Sequence, residues 1–551
     1  MTQLEANEAS EAASRSVPFL EKTARSLVEI QPHLDTVADI VVFLEVLGYT
    51  NKQVAEKGFT DLFEFADQLY DYIGRYAGRG EAGGGLDERE AVKIPSVGRR
   101  VAEGLTLSFP WIGSLSVLFL FGVSLWLVWG LPASITTSLI IGLFLGIFAS
   151  EGPMQLFQRL FAFHYNQANL SEVKRVLKRS YGVLALLAGA VLLLLYASEV
   201  AWGIPVSLVE LTAIASVSIL AHRVSYVVIY ALKRYWQLAV SYAAGLTAMV
   251  GSYYLLYNII PLTLNRYLDS LGIAFLVLSV APIYYDYKVF SSASTSSIDD
   301  QIRHSVNPSI VNSRTIRSSF GVQLWENLPY YAFGTLFFSL LFGDRVLAWL
   351  FNPNHLANGI RLPLEFNSAY HLGADLALIV IFPAAVIQYV VMSPISEHLA
   401  NLGMTTKVSD AAAVDGFLRE RYVLLLALTA VASTSVAAVL FIAGPHIISD
   451  LGGSEVSVRI LVVAASGNVL ISIFMANSLY LTFASRIKSL VVIACVGVTV
   501  LVLGGVLLAR SGFQDIVYAY FAAAALTAIL SSLEVSDVLK SPGRTFFSRY
   551  M

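Results

Sequence analysis

YNQANLSEVKRVLKRS (residues 165–180) and PISEHLANLG…DGFLRER (residues 394–421, middle omitted) decide how this sequence is read. Each is a polar link that follows a long apolar run, ends in basic residues and leads into another apolar run. Each lies after the second of six such runs. The twelve runs are about 105–131, 134–163, 178–203, 206–232, 235–260, 267–290, 323–351, 371–394, 420–444, 456–483, 487–510 and 513–536. Each is long enough to cross a hydrocarbon core of about 30 Å as a helix. Runs in the second series trail their counterparts by a near-constant offset, so the chain reads as two six-helix halves in the same orientation. That is the parallel-repeat plan of many transporters, which places the substrate path between the halves.

Composition agrees. Of 551 residues, 56% are hydrophobic and only 14% charged, against about 25% charged in a typical soluble domain. Mean hydropathy is +0.66. A soluble chain with so little charge would aggregate, so soluble enzyme classes drop out. The 31 Phe and 27 Tyr suit interfacial belts and a wet, aromatic-lined interior. The single cysteine, Cys495, excludes an intrachain disulfide or a cysteine-based zinc site. No metal or other cofactor is expected.

The net charge of −3 conceals two opposed parts. Residues 1–88 carry 16 acids and 7 bases, whereas the remainder carries 23 acids and 29 bases. An acidic head precedes a mildly basic membrane body, which argues against a nucleic-acid partner. The first 17 residues lack the basic and apolar regions of a signal peptide. Apolar spacing predicts head helices over 17–30, 34–47 and 61–76, the last capped by Thr60. GRGEAGGG (78–85) reads as a flexible linker. The expected organisation is a head over 1–88, an N-terminal lobe over 89–290, a Ser-rich inter-lobe linker over 291–322 and a C-terminal lobe over 323–551.

Topology follows from the basic residues. With the head in the cytoplasm, 23 Lys and Arg fall on inner flanks and loops and five on outer ones: Arg266, Arg345, Arg361, Arg459 and Arg510. Arg223 lies within the fourth run. This asymmetry places both termini in the cytoplasm and predicts a multi-pass protein of the cytoplasmic membrane.

Two bundles of six helices, basic links after helices two and eight, and a long middle linker resemble the multidrug/oligosaccharidyl-lipid/polysaccharide (MOP) exporter superfamily. QRLFAFHYNQANLSEVKRVLKRSY (158–181) is similar to its helix-two exit. IISDLGGSEVSVRILVVAASGNVLISIFMANSLYLTFASR (447–486) is similar to its ninth-to-tenth helix region. ENLPYYAFGTLFFSLLFGDRVLAW (326–349) and EGPMQLFQR (151–159) resemble the Pel-type exopolysaccharide exporters within it. The resemblance covers about residues 100–540 and implies an all-α, twelve-helix transporter of two lobes.

Ionisable groups at membrane depth are the functional suspects. Glu151 precedes Gly152-Pro153, so it either lines a helix break or sits where the second helix ends. Arg159 is a cargo contact or a positive-inside anchor. Arg223, Tyr226 and Tyr230 share a helix face and form a cation-and-phenol contact for sugar or phosphate, unless Arg223 snorkels to headgroups. Glu326, Tyr330 and Tyr331 open the seventh helix, with Tyr330 and Tyr331 as cargo candidates and Glu326 as a coupling candidate. Asp344 and Arg345 pair at the outer interface. His371 and Asp375, four residues apart, share a face where a carboxylate beside an imidazole can couple proton binding to transport. Asn468 and Asn477 read as packing residues.

The expected function is export or flipping of a polysaccharide or sugar-bearing lipid by alternating access, with the lipid bilayer as its setting. A synthase or glycosyltransferase partner would dock through residues 1–88. Lipid-linked pyrophosphate exporters of the superfamily have strongly cationic cavities, whereas the first apolar run here lacks Lys and Arg. A drug/cation antiporter and a non-transport scaffold for a synthase are the alternatives. Enzyme chemistry has little support: HExxH, GxSxG and P-loop motifs are absent, and Asp299-Asp300 lie in the linker. Energy would come from an ion gradient, the membrane potential or a partner. Reporters fused before Met1 and after Met551 should both read the cytoplasmic side, with a label at Asn258 on the opposite side. A split between the termini would overturn the even helix count.

Overall fold

The computed structural model describes residues 96–292, 320–405 and 411–540, apart from short interruptions at 126–127, 129, 167–169, 353–355, 358–359 and 362–363, together with residues 59–77, scattered positions between 19 and 54, and residue 542. The Gly-rich linker, most of head helices 17–30 and 34–47, and linker residues 293–319 with Asp299 and Asp300 lie outside the described residues. Contacts divide the chain into two units, 1–93 with 293–319, and 94–292 with 320–551.

In the head, a helix runs Leu62–Ala77. Its cap is Asp61, whose Oδ1 accepts from the Glu64 amide at 2.8 Å, rather than Thr60. Thr60 instead donates its amide to Glu64 Oε2 at 2.7 Å. The Thr60 hydroxyl, which donates to the same oxygen, and the Thr60 amide hold the Glu64 carboxyl below its ordinary range. Leu62, Phe65, Ala66 and Leu69 turn inward onto Leu27, Leu44 and Val54.

The membrane unit is all-α. Among the described residues, twelve helices are long and apolar enough to cross a membrane: α1 Val97–Phe121, α2 Ala133–Tyr165, α3 Glu172–Trp202, α4 Val206–Ala231, α5 Tyr235–Asn258, α6 Thr263–Ser291, α7 Phe320–Leu350, α8 Ser368–Ile395, α9 Asp415–Asp450, α10 Glu455–Phe483, α11 Ile487–Leu508 and α12 Phe513–Val538. All twelve expected runs are present. The first ends ten residues early, at Gly122, whose φ of 67° suits only glycine well. The chain then folds back through a bridge between Val123 and Val128. The polar link 165–180 is no separate short helix, because the helix containing α3 begins at Leu170 and takes Lys174, Arg175, Lys178 and Arg179 into its first turns. A two-residue ladder, Leu356–Ala357 with Ile360–Arg361, follows α7.

The lobes are related by their packing. In the N-terminal lobe α2 packs on α4, α1 on α5, and α5 on α6; α8 on α10, α7 on α11, and α11 on α12 repeat this in the C-terminal lobe. Matching small residues make the tightest contact. A Cβ on Gly142 would lie 2.6 Å from Ala215 Cβ and Thr212 O, and one on Gly146 2.8 Å from Ile219 Cβ and Ser216 O. This is a GxxxG stripe on α2. On α8, Gly373 and Ala377 stand at the same offset, and a Cβ on Gly373 would meet Ser457 O at 2.3 Å. The lobes meet along α1 with α8 and α2 with α7.

Symmetry fails at one place. α10 packs along α12, whereas α4 and α6 touch at only a few positions. Asn477 donates to Ser531 at 2.9 Å and Asn468 to the Ala377 carbonyl at 2.7 Å, which closes the C-terminal lobe, as expected of packing asparagines.

Gly142→Val and Gly373→Val should each lower the thermal midpoint of the purified protein, by an overpacking cost of about 1–3 kcal/mol or more. Gly189→Ala, with nothing within 4 Å of its added Cβ, should leave the midpoint within about 1 °C of wild type, a shift below what ~0.5 kcal/mol gives.

Candidate functional site

Three clusters hold the polar groups at membrane depth. The first lines a small pocket in the N-terminal lobe, bordered by Trp111 of α1, Met154 of α2, His222, Arg223, Tyr226 and Tyr230 of α4, and Tyr242 of α5. Here α2 does not end near Ser150. It runs through Glu151-Gly152-Pro153 as one helix, with Glu151 buried. Glu151 is ion-paired to Arg223, and Gln155 donates to its other oxygen at 3.0 Å. Arg223 therefore does not snorkel. His222 bonds Tyr242 OH at 2.7 Å.

Arg223, Tyr226 and Tyr230, expected on one face, all border this pocket, although α4 is interrupted between them. The first helical segment of α4 ends at Ser225 and a second resumes at Val227. Across that joint Tyr226 turns inward, fully buried, and donates to the Leu278 carbonyl at 2.7 Å. Its hydroxyl is committed to tying α4 to α6.

The second cluster is the seam between lobes. Arg159 Nε donates to Asn327 Oδ1 at 2.9 Å, and its guanidinium lies 3.8 Å from the centre of the Tyr330 ring. It bridges α2 and α7 and is not a headgroup anchor. Tyr331 and Thr335 pack on Gly152, where an added Cβ would approach within 3.0 Å of both. On the α1–α8 side, Tyr389 donates to Glu103 at 2.8 Å and Arg100 to the Val390 carbonyl at 2.6 Å. Glu326, expected near this seam, is exposed, and no described residue pairs with it.

The third cluster sits in the C-terminal lobe. Arg345 is 2% exposed and pairs with Asp344 as expected, inside the lobe. Arg345 lies between two carboxylates, bonded to Asp344 at 3.0 Å and to Asp375 at 2.8 Å. It also donates to the carbonyls of Ala374 and Leu341. Tyr370 donates to Asp344 at 2.9 Å. His371 and Asp375 share a face as expected, with Nδ1 and Oδ2 2.8 Å apart.

Trp349 fixes the state of this imidazole. Its indole N–H, which can only donate, points at His371 Nε2 at 2.9 Å. Nε2 is then the acceptor, so Nδ1 carries the proton and donates to Asp375. With a neutral imidazole, one guanidinium faces two carboxylates and the cluster holds one negative charge in excess. Phe144 of α2 packs edge-on against Trp349, ring centres 4.8 Å apart, and reaches His371 at 6.0 Å. The cluster therefore abuts the seam. Asp375 keeps 35% of its side chain exposed, so one carboxylate is reachable. Trp349 was legible only as one aromatic in an apolar run; its partner lies 22 residues away across a loop.

No protein-family model and no curated protein matches the sequence. Solved structures do match the arrangement. The MATE transporter ClbM in complex with Rb+ aligns over 81% of this chain and 96% of its own, with a TM-score of 0.54 and 12% identity. An outward-facing multidrug resistance MATE family transporter of the MOP superfamily aligns at 0.53 and 14%, over 80% and 96%. A MOP superfamily transporter from Pyrococcus furiosus, described as having a binding pocket of reverse polarity, aligns at 0.52 and 14%, over 80% and 97%.

This is a MATE-like fold. The two-lobe, twelve-helix architecture implied by the sequence is present. At these identities the likeness concerns the fold, so the chemistry of a MATE-like cavity is argued from this chain's own residues.

Arg345→Met should destabilise the protein by about 3–5 kcal/mol, because it strands the buried Asp344 carboxylate and unpairs Asp375. Arg345→Met combined with Asp344→Asn should recover part of that loss in thermal melts. A double variant no more stable than the single one would reject the pairing account.

Proposed function

We propose that the protein is a membrane transporter that works by alternating access of two lobes, moving a neutral or weakly charged solute through the N-terminal lobe. The Glu151–Arg223 pair carries this reading. It cancels the charges at the cavity wall and leaves phenol, indole and imidazole groups around them. Such a surface stacks on the apolar faces of sugars and suits a polysaccharide or sugar-bearing lipid without a dense anionic group. Arg159, Tyr330 and Tyr331 extend it along the seam. The Pel-type resemblance supports polysaccharide as the cargo.

A drug or cation antiport reading has its own support in the MATE neighbours. An aromatic-lined wall also suits an amphiphile. The two readings share one coupling site. The excess negative charge among Asp344, Arg345 and Asp375 accepts a proton at Asp375 or His371, and protonation of His371 Nε2 breaks its bond from Trp349. Because Phe144 packs on that tryptophan, the rupture acts directly on the seam. A monovalent cation is the second candidate for the same charge, by analogy with the Rb+ complex of ClbM. The acidic head is the proposed docking module for a synthase or glycosyltransferase on the cytoplasmic side.

Reconstitution separates these readings. Proteoliposomes with an imposed pH gradient should move fluorescently labelled oligosaccharide faster than a lipophilic cation, and Glu151→Gln should reduce that movement at least tenfold. Asp375→Asn should remove the dependence on the gradient while leaving exchange at equilibrium. A gradient response unchanged in Asp375→Asn rejects the coupling site, and cation movement alone selects antiport.

A further inference from the structure

Arg266 lies in the first turn of α6, outside all three clusters, and only 5% of it is exposed. Its guanidinium carbon sits 4.4 Å from the centre of the Tyr253 ring and 4.6 Å from that of Tyr257. One terminal nitrogen donates to Tyr253 OH at 3.1 Å. Its Nε is shut off from solvent and has no hydrogen-bond partner. Among the described residues no carboxylate is ion-paired with it; Asp269, one turn on, does not reach it.

Two physical terms oppose this placement. A buried cation without a counter-charge is costly. The amino end of a helix is itself positive, so a cation there is repelled where an anion would be held. Contact with two phenol rings offsets part of the cost but supplies no negative charge and no acceptor for Nε. The cation without a counter-charge, its orphaned Nε, and the amino end of α6, where the Arg266 amide alone is taken up by the Leu262 carbonyl, define an anion site.

The rim of this spot is apolar and outward-facing. Leu255, Ile259 and Leu262 are 79%, 73% and 65% exposed around the turn from α5 to α6. These side chains sit at the end of two membrane-spanning helices, where exposed aliphatic groups meet acyl chains. Tyr257 covers the guanidinium from outside, and its own 61% exposure leaves it free to swing aside.

We propose that Arg266 binds the phosphate of a membrane phospholipid headgroup, with Leu255, Ile259 and Leu262 against the acyl chains. The phosphate supplies the missing counter-charge and accepts from Nε and from the helix amides. A free phosphate ion offers the same charge but makes no use of the apolar rim.

The test uses the full-length protein in neutral detergent and needs no transport assay, so it stands apart from the function proposed above. Native mass spectrometry and thermal melts are followed as phosphatidylglycerol, diacylglycerol with the same chains, or inorganic phosphate is added. Phosphatidylglycerol should be retained and should raise the melting midpoint, diacylglycerol should do neither, and inorganic phosphate should bind at least about tenfold more weakly. Arg266→Gln should weaken phosphatidylglycerol retention about tenfold or more, as loss of a charge-assisted bond implies, and Arg266→Lys should restore part of it. Equal retention of the two lipids, or of the lipid by wild type and Arg266→Gln, overturns the proposal; inorganic phosphate binding as tightly as the lipid overturns its lipid source. Should Arg266→Gln not fold, a photoreactive phosphatidylglycerol on the wild-type protein decides. Adducts within residues 253–266 support the site, and adducts only elsewhere reject it.

Discussion

A charge placed at the centre of a bilayer costs about 2.5–3.5 kcal/mol by insertion scales unless the protein supplies its partner. That constraint organises the membrane unit. Glu151 finds Arg223 across α2 and α4, and Arg345 finds Asp344 and Asp375 across α7 and α8. The Glu151–Arg223 and Arg345–Asp375 pairs cross from one helix to another, so each also fixes how those helices sit. Where the partner is another lobe, as for Arg159 with Asn327 or Glu103 with Tyr389, the bond defines the seam that must open for the lobes to rock.

Close backbone approach makes this pairing possible. Helices gain little from apolar contact when lipid is equally apolar, so association rests on tight packing and on bonds between helices. Gly142 and Gly146 let α2 settle on α4, and Gly373 lets α8 settle on α10, with no room for a Cβ at the contact. On α8 a short tightened stretch, Leu378–Ile381, precedes Pro383, which has no amide to give the helix. Asn468 then takes up the Ala377 carbonyl beside it.

The lobes share a plan but differ in what they hold. In the C-terminal lobe α10 and α12 close on each other and seal Arg345 in a dry, hydrogen-bonded cluster. In the N-terminal lobe α4 and α6 touch at only a few positions, and aromatic side chains of α1, α4 and α5 border a pocket. One lobe is built to hold a fixed charge arrangement, the other to admit a solute. The division matches the proposed roles of coupling and cargo.

The sequence by itself determined the class, the twelve spans, the two-fold repeat and the pairing of His371 with Asp375. These depend on apolar length, on composition and on spacing within one helix, all of which are local. It left open whether Glu151 ends a helix and whether Arg159 and Arg223 are anchors, and it placed Asp344 and Arg345 at an interface. It set Tyr226 beside Arg223 but did not show which carbonyl the Tyr226 hydroxyl ties down. Only the tertiary structure decided these, because each answer lies on another helix: Arg223 for Glu151, Asn327 and Tyr330 for Arg159, Asp375 for Arg345, and Leu278 for Tyr226. The sparse contact between α4 and α6 was likewise invisible, since two halves with one pattern of apolar runs differ there only in how closely their helices approach.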